Sequence, residues 1–130
     1  MKTLEEIKEI FKNDRFATEN GASIEVVEDG YAICSLEITP HHLNAAGAIM
    51  GGVPFTLADF AFAVAANAEG LGTVSLSSTI NFLNAAKGKK LIAEAKCEKN
   101  GRTTCLYSIK VFDELGTSVA NVSITGFHKV

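Results

Sequence analysis

GGVPFTLADFAFAVAANA, from Gly51 to Ala68, is the stretch around which this chain must fold. Two glycines and a proline open it, and no further helix breaker follows before Gly70. The residues between are strong helix formers or large apolar side chains, so the stretch predicts a helix. Leu57, Ala58, Phe60, Ala61, Phe62, Ala63, Val64, Ala65 and Ala66 leave no polar stripe at helical spacing, the pattern of a helix buried on all sides. A membrane span needs about 20 apolar residues; this run is shorter and carries Asp59 in its middle. An ionised carboxylate in a buried helix is costly unless paired or hydrogen-bonded, and the helix offers it no Lys or Arg. Capping does not explain it, because Asp59 lies about two turns past Gly51-Gly52 and the dipole effect fades within the first turn. The alternatives are a carboxylate facing solvent through a gap in its cover and a functional one, and functional use is the reading adopted.

Outward from the helix, Met50-Gly51-Gly52-Val53-Pro54 places side-chain-free backbone at its start. Unpaired N–H groups and the positive end of the helix dipole form a ready oxyanion site there. Glycine also permits close approach of a substrate carbonyl, although a Gly-Gly pair serves a tight turn equally well. Asn44, in the Ala- and Gly-rich loop His41–Met50, is either a turn former or a polar group of the site. Ser75, Ser77 and Ser78 follow the helix and either pave a solvent face or look toward it. His41, His42 and His128 make no metal-ligand spacing with Cys or acidic residues. No nucleotide loop, catalytic-triad motif or zinc pattern is present, so neither a metal nor a cofactor is expected.

The flanks supply the cover. Thr3-Leu4-Glu5-Glu6 is a capping-box pattern, and Leu4, Ile7 and Phe11 recur at helical spacing, predicting a surface helix over residues 3–12. Asn13 to Gly21 reads as a lead-in that covers an exposed edge or the mouth of a site. Residues 22–28 and 31–38 flank Asp29-Gly30, a two-residue hairpin signal. Beyond Gly72, Thr73–Leu83, the alternation through Leu91, Ala93, Ala95 and Cys97, the run Cys105–Val111, and Thr117–Phe127 predict strands. Asn100-Gly101 predicts a further two-residue hairpin, and Glu114-Leu115-Gly116 another turn. The order predicts an α+β domain over residues 1–130, its first 20 residues a helix and lead-in, with an antiparallel sheet of five to six strands around one long helix. A sheet covers a helix on one side only, so the other face predicts a second copy of the chain, an obligate homodimer.

Composition narrows the partners. With 130 residues, 47% of them hydrophobic, the chain can bury a sizeable core. A net charge of −3 and a pI near 5.6 argue against a nucleic-acid or anionic-membrane binder. Cys34, Cys97 and Cys105 are odd in number, lie in apolar alternating runs and form no C-x-x-C pair, as expected of reduced core thiols in a cytoplasmic protein. The start, MKTLEEIKEI, is too charged for a signal peptide.

The run HLNAAGAIMGGVPFTLADFAFAVAAN resembles the N-x-x-G-x-x-H-G-G-x-x-x-x-L-x-D element of hotdog-fold acyl-CoA thioesterases of the phenylacetic-acid-degradation type. Asn44, Gly47, Gly51, Gly52, Leu57 and Asp59 match it position by position. SSTINFLNAA, Gly101-Arg102-Thr103 and the Asp113-Glu114-Leu115-Gly116 turn resemble that family's strand pattern, extending the likeness over most of the chain from about residue 20. The resemblance implies a hotdog fold, a long central helix wrapped by a curved antiparallel sheet, in dimers or dimers of dimers (tetramers) with sites at the dimer interface. It implies hydrolysis of acyl-CoA carrying a small aryl or short-to-medium acyl group. Asp59 would activate water or attack the thioester carbonyl, polarised by the Gly51 N–H of the other subunit. Asn44 would sit near the carbonyl or the water, Ser75 would orient the water, and Met50 and Gly52 would contact substrate. A thioester has a good leaving group, so one carboxylate and an oxyanion site suffice without a cofactor.

Two departures stand out. The family's histidine before Gly-Gly is Met50 here, and Asn84-Ala85 replaces an Arg-Pro pair. The second change leaves Lys87, Lys89, Lys90 and Arg102 as the candidates for coenzyme A phosphates. The first motivates an alternative function, an acyl-CoA binding or sensing protein without turnover. A hotdog hydratase ranks below both, since the helix and its lead-in supply no histidine paired with a carboxylate.

Overall fold

The computed structural model describes residues 2–129. Thr3 caps the first helix, α1 (Leu4–Phe11). Its hydroxyl accepts from the Glu6 N–H at 3.2 Å while the Glu6 carboxylate accepts from the Thr3 N–H at 2.9 Å, the reciprocal box that the sequence predicts. Ile7 and Phe11 carry the apolar face of α1 into the core, where the Phe11 ring meets Phe60 edge-on at 6.1 Å. The lead-in that follows departs from expectation by forming a second helix, α2 (Arg15–Glu19). Five residues are too few to display a helical period. What holds them is the burial of Ala17 together with a local i, i+4 ion pair between Arg15 and Glu19 at 2.5 Å.

Asp29-Gly30 closes a hairpin between β1 (Ser23–Glu28) and β2 (Tyr31–Glu37), with Glu28 opposite Tyr31. A 3₁₀ turn (Pro40–His42) and the loop through Met50 then deliver the chain to the central helix, α3 (Gly52–Ala66). β3 (Thr73–Phe82), β4 (Lys90–Asn100), β5 (Thr104–Asp113) and β6 (Ser118–His128) complete one antiparallel sheet in the order β1-β2-β4-β5-β6-β3. The helix touches all six strands. A flat sheet of six strands would be about 24 Å wide and a helix with its side chains is about 10–12 Å across, so the sheet must curl around it. This is the hotdog arrangement.

Small residues set the closeness of that wrap. Ala58, Ala61 and Ala65 of α3 and Ala32, Ala93 and Ala95 of the sheet are all buried. Gly126 of β6 leaves no room for a side chain beneath the helix: a Cβ there would stand 2.8 Å from Cζ of Phe62 and 2.7 Å from Sγ of Cys105. Asn67 ends α3 and ties it to β3. Its Nδ2 donates to the carbonyls of Ala63 and Thr73, and its Oδ1 accepts from the N–H groups of Gly72 and Thr73. All of its polar capacity is used, which is why a buried asparagine is tolerated.

Two sequence expectations need correction. Asn100-Gly101 is not a two-residue hairpin. Asn100 pairs with Cys105, Gly101 is not among the positive-φ glycines, and its N–H donates to the Thr104 carbonyl at 2.8 Å, which widens the turn. More consequentially, α3 is not buried all round within the single chain. Gly52, Phe55 and Asp59 are exposed, and Thr56, Ala63 and Ala66 half-buried, a stripe at i, i+3 and i+4 spacing that the sheet does not reach. β3, at the sheet edge, is likewise open along nearly its whole length, with Leu76 65% and Phe82 58% exposed.

The β5–β6 turn is built on Asp113, 1% exposed. Its Oδ2 accepts from the N–H groups of Lys87 and Gly88 at 2.8 and 2.9 Å, its Oδ1 from Leu115 and Thr117 at 3.0 and 2.8 Å. Burial alone would raise this carboxyl, but the backbone donors outweigh it and hold it well below the usual carboxylate range. Glu114 grips the next two N–H groups, those of Lys89 and Lys90. Cys34 is buried and its thiol is pushed up to about 12 by that burial, so it serves as packing rather than as a nucleophile. No helix among the described residues is long and apolar enough to cross a membrane.

Candidate active site

Asp59 projects from the open stripe of α3 into a cavity of about 560 Å³, walled by Asp14, Phe16 and Phe55 and by Ser75 and Ser78 of β3. That volume falls within the roughly 300–1,000 Å³ of small-molecule sites. The two serines are three residues apart, which in a regular strand would send them to opposite faces. A bulge at Leu76, between the pairs Ser75–Gly126 and Ser77–Thr125, inserts one residue and brings both to the cavity side. Ser75 and Ser78 therefore line the same cavity as Asp59.

The carboxyl of Asp59 is pushed above its ordinary range, first by the desolvating walls of the cavity and then by the negative charge of Asp14. No hydrogen bond or ion pair among the described residues offsets either effect. Asp14 precedes α2 without capping it, and burial raises its carboxyl too. Arg15 is the one cation among the cavity-lining residues, and its guanidinium is engaged by Glu19. A carboxylate in such surroundings is poised to take a proton or to attack an electrophile.

Gly51 and Gly52 present the start of α3. Neither N–H has a backbone acceptor outside the helix among the described residues, and the stretch before them is held by Met50 N–H donating to the His42 carbonyl at 2.9 Å. Two free donors at a helix N-terminus form an oxyanion site in waiting. Phe82 rests against it: a Cβ on Gly51 would meet the ring at 3.0 Å. Gly51 lines a separate cavity of about 370 Å³ with Phe82 and Leu83. Eight residues of helix at 1.5 Å each separate Gly51 from Asp59, about 12 Å along the axis. One chain therefore does not bring its own Gly51 N–H and its own Asp59 to the same carbonyl.

Asn44 touches none of these cavities. Its Oδ1 accepts from the N–H groups of Ala46 and Ala48 at 2.9 and 3.1 Å, and Gly47, at φ +85°, completes the turn. The side chain shapes the loop with its carbonyl and leaves Nδ2 as a donor. Met50, 52% exposed, lays its Cε over Gly52, 3.1 Å from where a Cβ would be, and joins Gly52 in a third, smaller cavity of about 130 Å³. His42, without a role in the sequence reading, is a buried strut. Its Nδ1 accepts from the Thr39 N–H at 2.9 Å, so Nε2 carries the proton and donates to the Asn20 carbonyl at 2.7 Å. Sequence reasoning missed Asp14 and Phe16 as walls of the Asp59 cavity; the lead-in was expected to cover an exposed edge or the mouth of a site, but no periodicity marked which residues would face inward. No cluster of three or more His, Cys, Asp or Glu side chains suited to a metal occurs among the described residues.

A Thioesterase superfamily model matches residues 46–120, the span from the Asn44 turn through most of β6's first half. The chain is 35% identical over 119 residues to a putative esterase of Archaeoglobus fulgidus, covering 90% of this chain and 77% of that protein. It is 34% identical over 112 residues to the acyl-coenzyme A thioesterase PaaI of Escherichia coli, covering 85% of this chain and 80% of that one. The solved structure of E. coli PaaI superposes with a TM-score of 0.87 at 31% identity, over 94% of this chain and 88% of that one. A hypothetical thioesterase of Streptococcus pneumoniae, solved with coenzyme A, gives a TM-score of 0.80 at 28% identity, over 92% and 96% of the two chains.

Proposed function

The chain belongs to the thioesterase superfamily, and from that premise we propose that it hydrolyses acyl-coenzyme A thioesters carrying a small aryl or short-to-medium acyl group. The observation that carries the reading is Asp59: a carboxylate with raised proton affinity, facing a 560 Å³ cavity beside Ser75 and Ser78. The thioester carbonyl sits over Asp59. The carboxylate either takes a proton from the attacking water, or adds to the carbonyl and expels the thiolate to leave a mixed anhydride that water then cleaves, regenerating Asp59. Both routes consume one water, break the C–S bond and yield the free acid and coenzyme A, whose sulfur leaves as thiolate and is protonated.

The negative charge that develops on the carbonyl oxygen needs a donor, and the roughly 12 Å between Gly51 and Asp59 along one helix supports a second copy as its source. The open stripe of α3 and the exposed edge strand β3 are the faces on which that copy docks. A homodimer then carries two sites, each with Asp59 of one chain and the Gly51 N–H of the other; pairing of such dimers into tetramers follows from the same resemblance. Asn44 Nδ2 and the Ser75 hydroxyl are the polar groups that orient carbonyl and water. Coenzyme A binding is supported by the coenzyme A carried by the S. pneumoniae relative. Lys90 is occupied by Glu25 at 3.3 Å, so Lys87, Lys89 and Arg102 are the cations offered to its phosphates. Three unpaired cysteines fit a reducing, cytoplasmic setting.

The test is turnover of a panel of acyl- and aryl-CoA thioesters by wild type, Asp59→Ala and Met50→His. Asp59→Ala should lose on the order of 10²–10⁴ in kcat. Equal turnover by wild type and Asp59→Ala would overturn the assignment, and activity that appears only in Met50→His would mark wild type as a binder rather than a catalyst.

A further inference from the structure

Phe16 is the most exposed large hydrophobic side chain among the described residues, at 75%. Single exposed apolar residues are ordinary, and exposure alone says nothing. Its position does. Phe16 lines both the Asp59 cavity and the 130 Å³ cavity beneath Met50, and Thr56 is the other residue common to the two. The cavities are therefore neighbours that have Phe16 and Thr56 as common lining.

The lining of the smaller cavity is mostly apolar, with Asn20, His41 and Thr56 as polar members. Leu36, 2% exposed, is its most buried lining residue, and Val53 and Met50 line it as well. His42 contributes ring rather than nitrogen, because both of its nitrogens are engaged by backbone. At 130 Å³ it is too small for a ligand of its own, given roughly 300 Å³ as the lower end for such sites. It is large enough for a few carbon atoms. Val53, Thr56 and Asp59 succeed one another at i, i+3 and i+6 on α3, so the path from Asp59 to the small cavity follows the helix for about 9 Å. A carbonyl at Asp59 can send an apolar tail along that path. The mostly apolar lining favours a hydrocarbon tail over the polar pantetheine arm.

We propose that the Leu36–Val53–Met50 cavity receives the distal end of the substrate's acyl chain and that Phe16, on the short helix α2, is the residue that sets how long that chain is. This rests on the acyl-CoA reading of the Asp59 site and adds a specificity-determining residue to it. The ring narrows the passage between the cavities; removing it joins them, and enlarging it closes the annex.

The experiment measures kcat/KM for straight-chain acyl-CoAs from acetyl to dodecanoyl with wild type, Phe16→Ala and Phe16→Trp. In parallel, calorimetry measures binding of the same thioesters to Asp59→Ala carrying either Phe16 or Phe16→Ala. Joining the cavities should raise the long-to-short preference ratio about tenfold or more, the scale of discrimination by a few methylenes, and Phe16→Trp should lower it. The same ratio should move in the binding series. A uniform change across all chain lengths in both series would overturn the proposal and leave α2 a structural element only. If wild type turns nothing over but the binding ratio still shifts with Phe16, hydrolysis is wrong and the chain-length role stands. Absence of any acyl-CoA binding would overturn both.

Discussion

Asp14 and Asp59 share one cavity, the first entering it from the residue before α2, the second from the middle of α3. Burial raises both carboxyls, and the charge of Asp14 raises Asp59 further. Arg15, the one cation lining that cavity, is turned toward Glu19 and leaves the two acids without an ion pair. Two like charges in one partly desolvated space favour a proton on one of them.

This relationship sets the pH dependence. Asp59 must be ionised to act as base or nucleophile, so kcat/KM should climb with pH through its raised value, above the ordinary Asp range of about 4. Asp14→Asn removes the like charge and should move that limb to lower pH; a pH–rate profile of the two proteins reads the shift directly. The same linkage predicts stability. A carboxyl that binds its proton more tightly when folded makes the native state lose stability as pH rises from the unfolded value through the folded one. Asp59→Asn should therefore melt at a higher temperature than wild type at neutral pH, while losing activity. An acid limb that stays put in Asp14→Asn would mean that the two carboxylates do not communicate.

Asn44 divides its work between two atoms. Oδ1 holds the Ala46 and Ala48 N–H groups, and Nδ2 is left to donate. Asn44→Asp keeps the acceptor and removes the donor, whereas Asn44→Ala removes both. Asn44→Asp should melt near wild type yet lose about 10- to 100-fold in kcat, a little less than a full oxyanion donor is worth. Asn44→Ala should lose thermal stability as well, by the loss of two turn hydrogen bonds. Thermal melts beside initial rates separate the two roles. If Asn44→Asp turns over at the wild-type rate, Asn44 is a turn former and nothing more.

Asp113 makes an opposite prediction to Asp59. Its four backbone donors favour the ionised form, so its contribution to stability is full above the usual carboxylate range and is lost as pH falls through its depressed value. Asp113→Asn puts an NH₂ against N–H donors on one side and should lower the melting temperature by on the order of 10 °C at neutral pH. The gap between wild type and variant should shrink on acidification. A gap that is constant from neutral to strongly acid pH would show that packing, not charge, is what Asp113 supplies.

Much of the architecture was legible because it rests on local signals. The Thr3–Glu6 box, the Asp29-Gly30 hairpin and the alternation of Ala32, Cys34 and Leu36 are decided within a few residues, and all are found as predicted. α2 was not legible, since one turn of helix is held by the burial of Ala17 and not by a period. Asp59 stands out in the sequence, but the reason for its position does not. A helix with no polar stripe reads as buried on all sides, whereas the folded chain covers only the faces within reach of its own sheet. The stripe of Gly52, Phe55 and Asp59 lies outside the reach of the chain's own sheet. Ser75 and Ser78 converge only because of a bulge at Leu76, and nothing in TVSLSSTI announces where an extra residue will be inserted.

That uncovered stripe leads to the sharpest test of how the site is assembled. Asp59→Ala removes the carboxylate. Gly51→Pro removes the N–H donor at a residue whose φ of −57° suits proline, and each variant alone should lose on the order of 10²–10³ in kcat or more. In a homodimer with sites shared between chains, a mixed dimer has one site with both defects and one with neither. Co-refolding the two inactive variants in equal amounts should then restore about a quarter of wild-type activity, since about half of the random dimers are mixed and each has one sound site of two. A site contained within one chain gives every chain a defect, and mixing restores nothing. Recovery that rises with mixing, and disappears when the two variants are kept apart, would place Asp59 of one chain and the Gly51 N–H of another at the same carbonyl; no recovery across repeated mixing would return both to a single chain and require α3 to bend.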